Sequence, residues 1–313
     1  MTTKYDSQGA EASFGDKPVL VTGAAGFIGS ALCVRLKSFG AQVHSASRRA
    51  EGPAAADRHW RIDLAEQPAV SRLIGDIRPA YVFHLASHVQ GAPDFKHVLP
   101  TFYGNLQTSV NVMYALVESG CTRMVTTGSL IEPDPGVVQK VPNSPCAAAK
   151  WASSDYARMF HALYGLPVAI ARVFMVYGPA QQDESKLVPY VTRCVLAGET
   201  PQITSGKHTF DWIYVDDVVE GLLKLATASD VDGKTADIGS GSLITTSTVV
   251  NTICDLMEAR ARPVFGALPD RPLEPLRVAR VRETAELIGW EPHVGLTEGL
   301  SRTVDWYRSH PKA

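Results

Sequence analysis

The chain of 313 residues contains no Cys-x-x-Cys pair, and its five cysteines (Cys33, Cys121, Cys146, Cys194 and Cys254) are odd in number and dispersed. That pattern argues against a disulfide framework or a zinc site and for a reducing compartment, with free thiols lying in apolar segments; no metal is expected. No apolar stretch is long enough to span a bilayer. Residues Met1 to Asp16 lack the apolar core of a secretory signal, so they read as a flexible polar tail, and the cytoplasm is the expected location. The formal net charge is only -2, which gives no electrostatic case for nucleic acid or an anionic membrane as partner. Any phosphate must therefore be held by local groups. The absence of internal repeats and low-complexity tracts sets aside solenoids and disordered arrays.

What is present is an ordinary globular balance, 45% hydrophobic and 20% charged, in a length that suits one large α/β domain with a smaller lobe. From Pro18 strand-like and helix-like segments alternate. Strands are predicted at Val19–Thr22, Gln42–Ala46, Trp60–Ile62, Ala80–Leu85, Met124–Thr127 and Val168–Val173. Helices are predicted at Phe27–Phe39, Gln67–Ile77, about Pro100–Ser119 and Cys146–Leu163. Such alternation implies a Rossmann-type, doubly wound parallel sheet covered by helices on both faces. After Gly178-Pro179 segments shorten and loops rich in Gly and Pro appear. The expected division is a tail at 1–16, a dinucleotide-binding domain at 17–178 with a returning segment near 209–240, and a smaller substrate-binding lobe over most of 179–313.

The strongest single motif is Thr22-Gly23-Ala24-Ala25-Gly26-Phe27-Ile28-Gly29, which follows the first strand and opens the first helix. Gly23 permits the tight turn, Gly26 lets the backbone approach a pyrophosphate, and Gly29 lets helix and strand pack closely. The helix start, with Phe27 and Ile28, offers amides and the positive end of a dipole to the phosphates. Strand before, helix after and a second strand at the right distance raise this above a lone glycine triplet. The second strand ends Ser47-Arg48-Arg49, where NAD-preferring folds commonly carry an acid for the ribose 2′-hydroxyl. Guanidinium groups suit a 2′-phosphate, so NADP(H) is favoured with NAD(H) possible; a solvated arginine pair is the plainer alternative. Asp63-Leu64, at the end of the third strand, is placed to flank the adenine.

Together these residues resemble the extended short-chain dehydrogenase/reductase family, in its nucleotide-sugar epimerase, dehydratase and ketoreductase branch. Further matches are Val82-Phe83-His84-Leu85-Ala86-Ser87, Asn105, Ser129, Lys150, Arg172 through Tyr177-Gly178-Pro179, Tyr214-Val215-Asp216-Asp217-Val218, Ile238-Gly239-Ser240-Gly241 and Leu287-Ile288-Gly289-Trp290-Glu291-Pro292. The resemblance spans roughly residues 17 to 308 and is specific for the family, not for one reaction. It implies a bound nicotinamide cofactor, with Leu85, Ala86 and Ser87 lining its cleft. It implies Ser129 as hydrogen-bond partner of the substrate oxygen and Lys150 as holder of the nicotinamide ribose. It implies a nucleotide-diphosphate sugar under the lobe, with Arg271 a candidate for its phosphates or else an exposed loop charge. It also implies a homodimer through the helices near Pro100–Ser119 and Cys146–Leu163.

Four departures matter. The family's Tyr-x-x-x-Lys becomes Cys146-x-x-x-Lys150, with both side chains on one helical face. A thiol beside an ammonium is activated in principle, but it lies nearer the backbone than a phenol oxygen and does not reach the same point. Cys146 is thus acid/base through a water or shifted substrate, or an inert residue in a weakened enzyme. Tyr156 lies on another part of the helix and is no substitute. After Ser129, Leu130 and Ile131 stand where 4,6-dehydratases carry acids, and alternation turns Glu132 differently from Ile131. Met175 and Phe210 replace an Asn and an Arg expected near the substrate, making the site less polar. His88 is a second proton donor by its chemistry or a loop histidine with a structural hydrogen bond. The reading is an NADP(H)-dependent ketoreductase or epimerase of nucleotide sugars. The alternatives are a reductase of a non-sugar carbonyl and a catalytically impaired NADP(H)-binding relative.

Overall fold

The computed structural model describes residues 12–89, 91–132, 141–270 and 276–311. Seven parallel strands form the main sheet in the order β10-β6-β5-β4-β1-β2-β3. They are β1 (Pro18–Thr22), β2 (Gln42–Ser47), β3 (Arg58–Arg61), β4 (Tyr81–His84), β5 (Arg123–Ser129), β6 (Val168–Val173) and β10 (Thr235–Ile238). The order reverses between β1 and β4, so the crevice at the carboxyl ends of those two strands is where an open sheet of this kind takes its ligand.

Alternation along the strands explains the layers. Val19, Val21, Val125, Ala169 and Ala171 face one core with helices α1 (Phe27–Ser38) and α7 (Val215–Thr227). Leu20, Met124, Val168 and Ile170 face the other, against α2 (Gln67–Ile77), α4 (Thr108–Ser119) and α5 (Pro145–Tyr164). Burial on both faces is why these strands read as continuous apolar runs. The chain joins this core before Lys17: Phe14 is fully buried, with its ring 4.8 Å from that of Tyr81.

Most predicted bounds shift by one or two residues, and two differences have a clear physical reason. The third strand starts at Arg58 rather than Trp60, because charged side chains are acceptable on an edge strand and hide its start. The long helix expected from Pro100 is instead composite. A turn at Val98–Thr101 (α3) passes through a π-helical stretch, Phe102–Gln107, before α4 begins.

The lobe has its own core. A three-stranded sheet, β11 (Leu243–Thr245), β9 (Thr209–Tyr214) and β7 (Met175–Tyr177), packs Trp212, Tyr214 and Tyr177 against Val188 and Val191 of α6 (Leu187–Leu196) and against Val250, Ile253 and Leu300 from the surrounding helices. Strands β8 (Gln202–Ile203) and β12 (Val264–Phe265) form a separate pair. Residues 209–240 leave this sheet through α7 and add β10 to the edge of the main one.

Candidate active site

The glycine loop is shaped for a pyrophosphate. A Cβ on Gly29 would lie 2.8 Å from the Cα of Ala24 and closer still to the carbonyl oxygen of Gly23. Gly23 has φ +68°, and a Cβ there would meet the backbone of Leu85 and Ala86 at 2.7 Å. Loop and β4 therefore touch through bare backbone. Helix α1 has no acid in its first turn, and its first amides have no intrahelical acceptor. The residues fit a dinucleotide phosphate, with Gly26, Phe27, Ile28 and Gly29 at the helix start.

Ser47 ends β2, and its hydroxyl accepts from the Arg49 amide at 3.2 Å. Arg48 and Arg49 are exposed, and the Arg49 guanidinium reaches back towards the Ala25 carbonyl, 3.5 Å away. Between loop and β2 opens a trough of about 640 Å³ lined by Ala25, Ser30, Arg49 and Gly52 among others. Asp63 is exposed and Leu64 buried. The Leu64 and Ala65 carbonyls are held at 2.9 Å by Asn111, which fixes that side of the crevice.

At the end of β4 a buried relay begins. Thr22 Oγ1 lies 2.8 Å from His84 Nδ1, and His84 Nε2 lies 3.1 Å from Ser109 Oγ. Complete burial pushes the His84 imidazole down to about 3, with the Lys150 ammonium adding to the effect. The Ser109 hydroxyl donates to the Asn105 carbonyl at 2.6 Å. Asn105, on the π-helical stretch, is the pivot. Its Oδ1 accepts from the Ser87 hydroxyl at 3.1 Å and the His88 amide at 2.6 Å, while its Nδ2 donates to the His88 carbonyl at 3.3 Å and approaches Cys146 Sγ at 3.6 Å. One carboxamide thus pins the Leu85-Ala86-Ser87-His88 loop to the start of α5.

Helix α5 is fixed at that point by its cap: the Ser144 hydroxyl accepts from the Ala147 amide at 3.3 Å, and Pro145 takes the first helical position, where its missing N–H costs nothing. Cys146 follows, and Lys150 lies one turn on. The Lys150 side chain is partly buried, and its ammonium donates to Thr127 Oγ1 at 2.8 Å and to the Thr127 carbonyl at 3.0 Å. Burial lowers its pKa, opposed by Cys146 and Glu132. Thr127 and Ser129 are two apart on β5 and share a strand face, so Ser129, Lys150, Cys146 and the Asn105 pivot converge at one end of the central strands, beside the glycine loop.

The match to known proteins agrees with this geometry. The model of the NAD dependent epimerase/dehydratase family matches residues 19–239. A UDP-glucose 4-epimerase of Mycolicibacterium smegmatis is 31% identical, covering 93% of this chain and 98% of its own. The chain belongs to the NAD dependent epimerase/dehydratase family. A probable dTDP-glucose 4,6-dehydratase of Sinorhizobium fredii is 30% identical over 92% of both chains. The solved UDP-glucose 4-epimerase of Thermus thermophilus, in complex with NAD, superposes with a TM-score of 0.81 at 28% identity, covering 93% of this chain and 98% of that one.

Met175 and Phe210, expected beside the substrate, stand on the lobe sheet in β7 and β9. Met175 pairs with Trp212 across β7 and β9, and the Phe210 ring stands edge-on to Trp212, 5.9 Å away. Both side chains pack partly into the lobe core. Arg271 lies outside the described residues. His88 faces His97 with ring centroids 5.6 Å apart, and burial, His97 and Arg48 together lower its pKa. Tyr156 is exposed.

Three contributors were not recognised in the sequence as parts of the site. Thr127 was visible as the residue two before Ser129 on one strand face. His84 was a histidine inside an apolar strand. Glu132 is buried, and its Oε1 accepts from the Ser129 amide at 2.8 Å and the Ser154 hydroxyl at 2.9 Å. Ser129 lies three residues before it, but Ser154, the partner that draws the carboxyl into the interior, lies 22 residues on, and no local signal marks that pairing.

Proposed function

We propose that this protein is an NADP(H)-dependent oxidoreductase acting on a nucleotide-diphosphate sugar, as a ketoreductase or as an epimerase working through transient oxidation. The observation that carries the reading is the convergence of Ser129, Lys150 and Cys146 at the carboxyl end of β5, beside a loop shaped for a pyrophosphate. When bound, the nicotinamide supplies or accepts a hydride at its C4. Ser129 hydrogen-bonds the sugar oxygen that becomes a carbonyl or hydroxyl. The Lys150 ammonium, already aimed at the strand end by Thr127, holds the nicotinamide ribose and favours negative charge nearby. The proton passes through Cys146, either directly to a shifted substrate or by way of a water, because the sulfur stands nearer the helix than a phenol oxygen would.

NADP(H) is favoured by the lack of an acid at Ser47, by the trough beside Arg49 and by the exposed Arg48 next to it in the chain. Dehydration of the 4,6 type is disfavoured. Leu130 and Ile131 carry no acid, and the Glu132 carboxyl is committed to the protein interior. A homodimer is supported by the apolar side chains that α4 and α5 expose, Tyr114, Val117, Leu163 and Tyr164. Among the described residues no helix is long and apolar enough to cross a membrane, and five free thiols suit the cytoplasm.

The test is NADPH oxidation with a panel of 4-keto-sugar nucleotides, run on this protein and on Cys146→Tyr side by side. Turnover by the unchanged protein supports Cys146 or water in place of the phenol. Turnover only with tyrosine marks a disabled reductase. The less polar surface at Met175 and Phe210 favours a second reading, a non-sugar carbonyl substrate. Failure of UDP, GDP, CDP and dTDP all to bind would select it.

A further inference from the structure

The chain's C-terminal return ties the lobe to the catalytic strand. Around Val264–Phe265 the backbone pairs with Gln202–Ile203 in the lobe. Asp270 still belongs there, accepting from the Ser205 amide at 3.0 Å. By Arg277 the chain has reached the main sheet. Arg277 Nη1 donates to the Leu130 carbonyl at 3.3 Å and to the Glu132 carbonyl. Two residues on, the Ala279 amide donates to Asp211 Oδ2 at 2.9 Å, and the Arg280 amide to Asp237 Oδ2 at 3.1 Å. Four residues are thus pinned at three points, to the loop after β5, to β9 and to β10.

The same loop is held from inside by Glu132. Its Oε1 takes the Ser129 amide and the Ser154 hydroxyl, and its Oε2 lies 4.0 Å from Arg172 Nε. Arg172 in turn donates to Asp237 Oδ1 at 3.0 Å, closing a circuit on the strand that also anchors Arg280. The carboxyl sits so close to Gly128 that a Cβ there would collide with it. Leu130 and Glu132 are therefore gripped through their carbonyls from one side, and Ser129 through its amide from the other.

We propose that Arg277 and Glu132 form a clamp by which the substrate lobe sets the position of Ser129 relative to Lys150. Both are positioning residues, acting through the backbone of the loop after β5. The proposal rests on reading Ser129 as the partner of the substrate oxygen. It assigns the segment joining lobe and sheet a catalytic purpose that no glycine loop or Tyr-x-x-x-Lys pattern encodes.

The experiment pairs kinetics with amide exchange. In whichever background turns over, native or Cys146→Tyr, Arg277→Met is expected to lower kcat roughly 10- to 100-fold, the cost of a misplaced reacting group. KM and cofactor affinity should stay within about twofold. Arg277→Lys should recover part of the rate. Glu132→Gln, which keeps an acceptor for the Ser129 amide, should retain far more activity than Glu132→Ala. By NMR, Arg277→Met should speed exchange of the Ser129 amide and leave Val125, mid-strand on β5, protected. Unchanged kcat, a rise in KM alone, or equal acceleration at Ser129 and Val125 overturns the clamp. If no nucleotide sugar turns over in either background, the functional reading has failed. The exchange pattern still decides whether Arg277 holds Ser129.

Discussion

On the nucleotide side of the cleft the geometry is made of backbone. Gly29 packs onto the Gly23 carbonyl, Gly23 onto the Leu85–Ala86 peptide, and α1 presents its amides. On the reacting side the geometry is made of side chains. Asn105 spans His88 and Cys146, Thr127 aims Lys150, and Glu132 holds Ser129. A backbone device tolerates almost no substitution at its few contact points. A side-chain device is retuned one residue at a time, as Cys146, Met175 and Phe210 show here. The difference teaches why a family can share a cofactor and diverge in reaction.

The sharpest way to break the comparison is at Gly29. Gly29→Val inserts a Cβ into backbone that has no room for it. NADP(H) affinity is expected to fall by more than about 100-fold, a loss of the phosphate contacts at the helix start, as measured by calorimetry. Near-normal binding would mean the loop is more forgiving than its contacts indicate. The reacting side should respond in the opposite sense to Cys146→Tyr. If the phenol is what the site lacks, turnover rises about 100- to 10,000-fold, the usual worth of a placed acid/base, while cofactor affinity stays level. No gain would place the proton path elsewhere.

Arg48→Ala with Arg49→Ala sharpens the nucleotide side. Charge-assisted hydrogen bonds to a 2′-phosphate are worth about 1.5–3 kcal/mol, so NADPH binding should weaken roughly 10- to 100-fold and NADH binding hardly at all. An equal loss for both would remove the case for NADP(H). The smallest effect concerns the border between the two sides. His84 is buried neutral, with its pKa pushed down to about 3 from an ordinary 6.5. The unfolded chain therefore binds a proton that the folded one refuses between those values, and stability falls as the pH drops through that window. From pH 7 to pH 5 the loss from this one group is about 2 kcal/mol. Urea unfolding at the two pH values should show it, and His84→Gln should flatten the slope.

The same division marks how much could be read from the chain alone. Strand Val168–Val173 and helix Gln67–Ile77 have the predicted bounds, because apolar periodicity and proline punctuation are local. So are the glycines of the loop. Thr127 and Arg277 act on neighbours brought in by the fold, and Glu132 joins nearby Ser129 to the distant Ser154. Arg277 reaches Leu130 across 147 positions, and no spacing rule relates such residues. Ser47 and the two arginines were legible because the end of β2 is a fixed place in the fold; Met175 and Phe210 were visible as departures, but their packing on Trp212 was not.

The π-helical stretch Phe102–Gln107 has a consequence for the chain's history. A turn closed from i to i+5 holds one residue more than an α-turn needs. Loss of one residue before Asn105 in this stretch would let the run close as plain α-helix and swing Asn105 by about 100° relative to the preceding turn, away from His88 and Cys146. The pivot of the site is therefore recorded in a count of residues as well as in the identity of Asn105. A lineage could lose it by a three-nucleotide deletion that leaves every residue singled out around it unchanged.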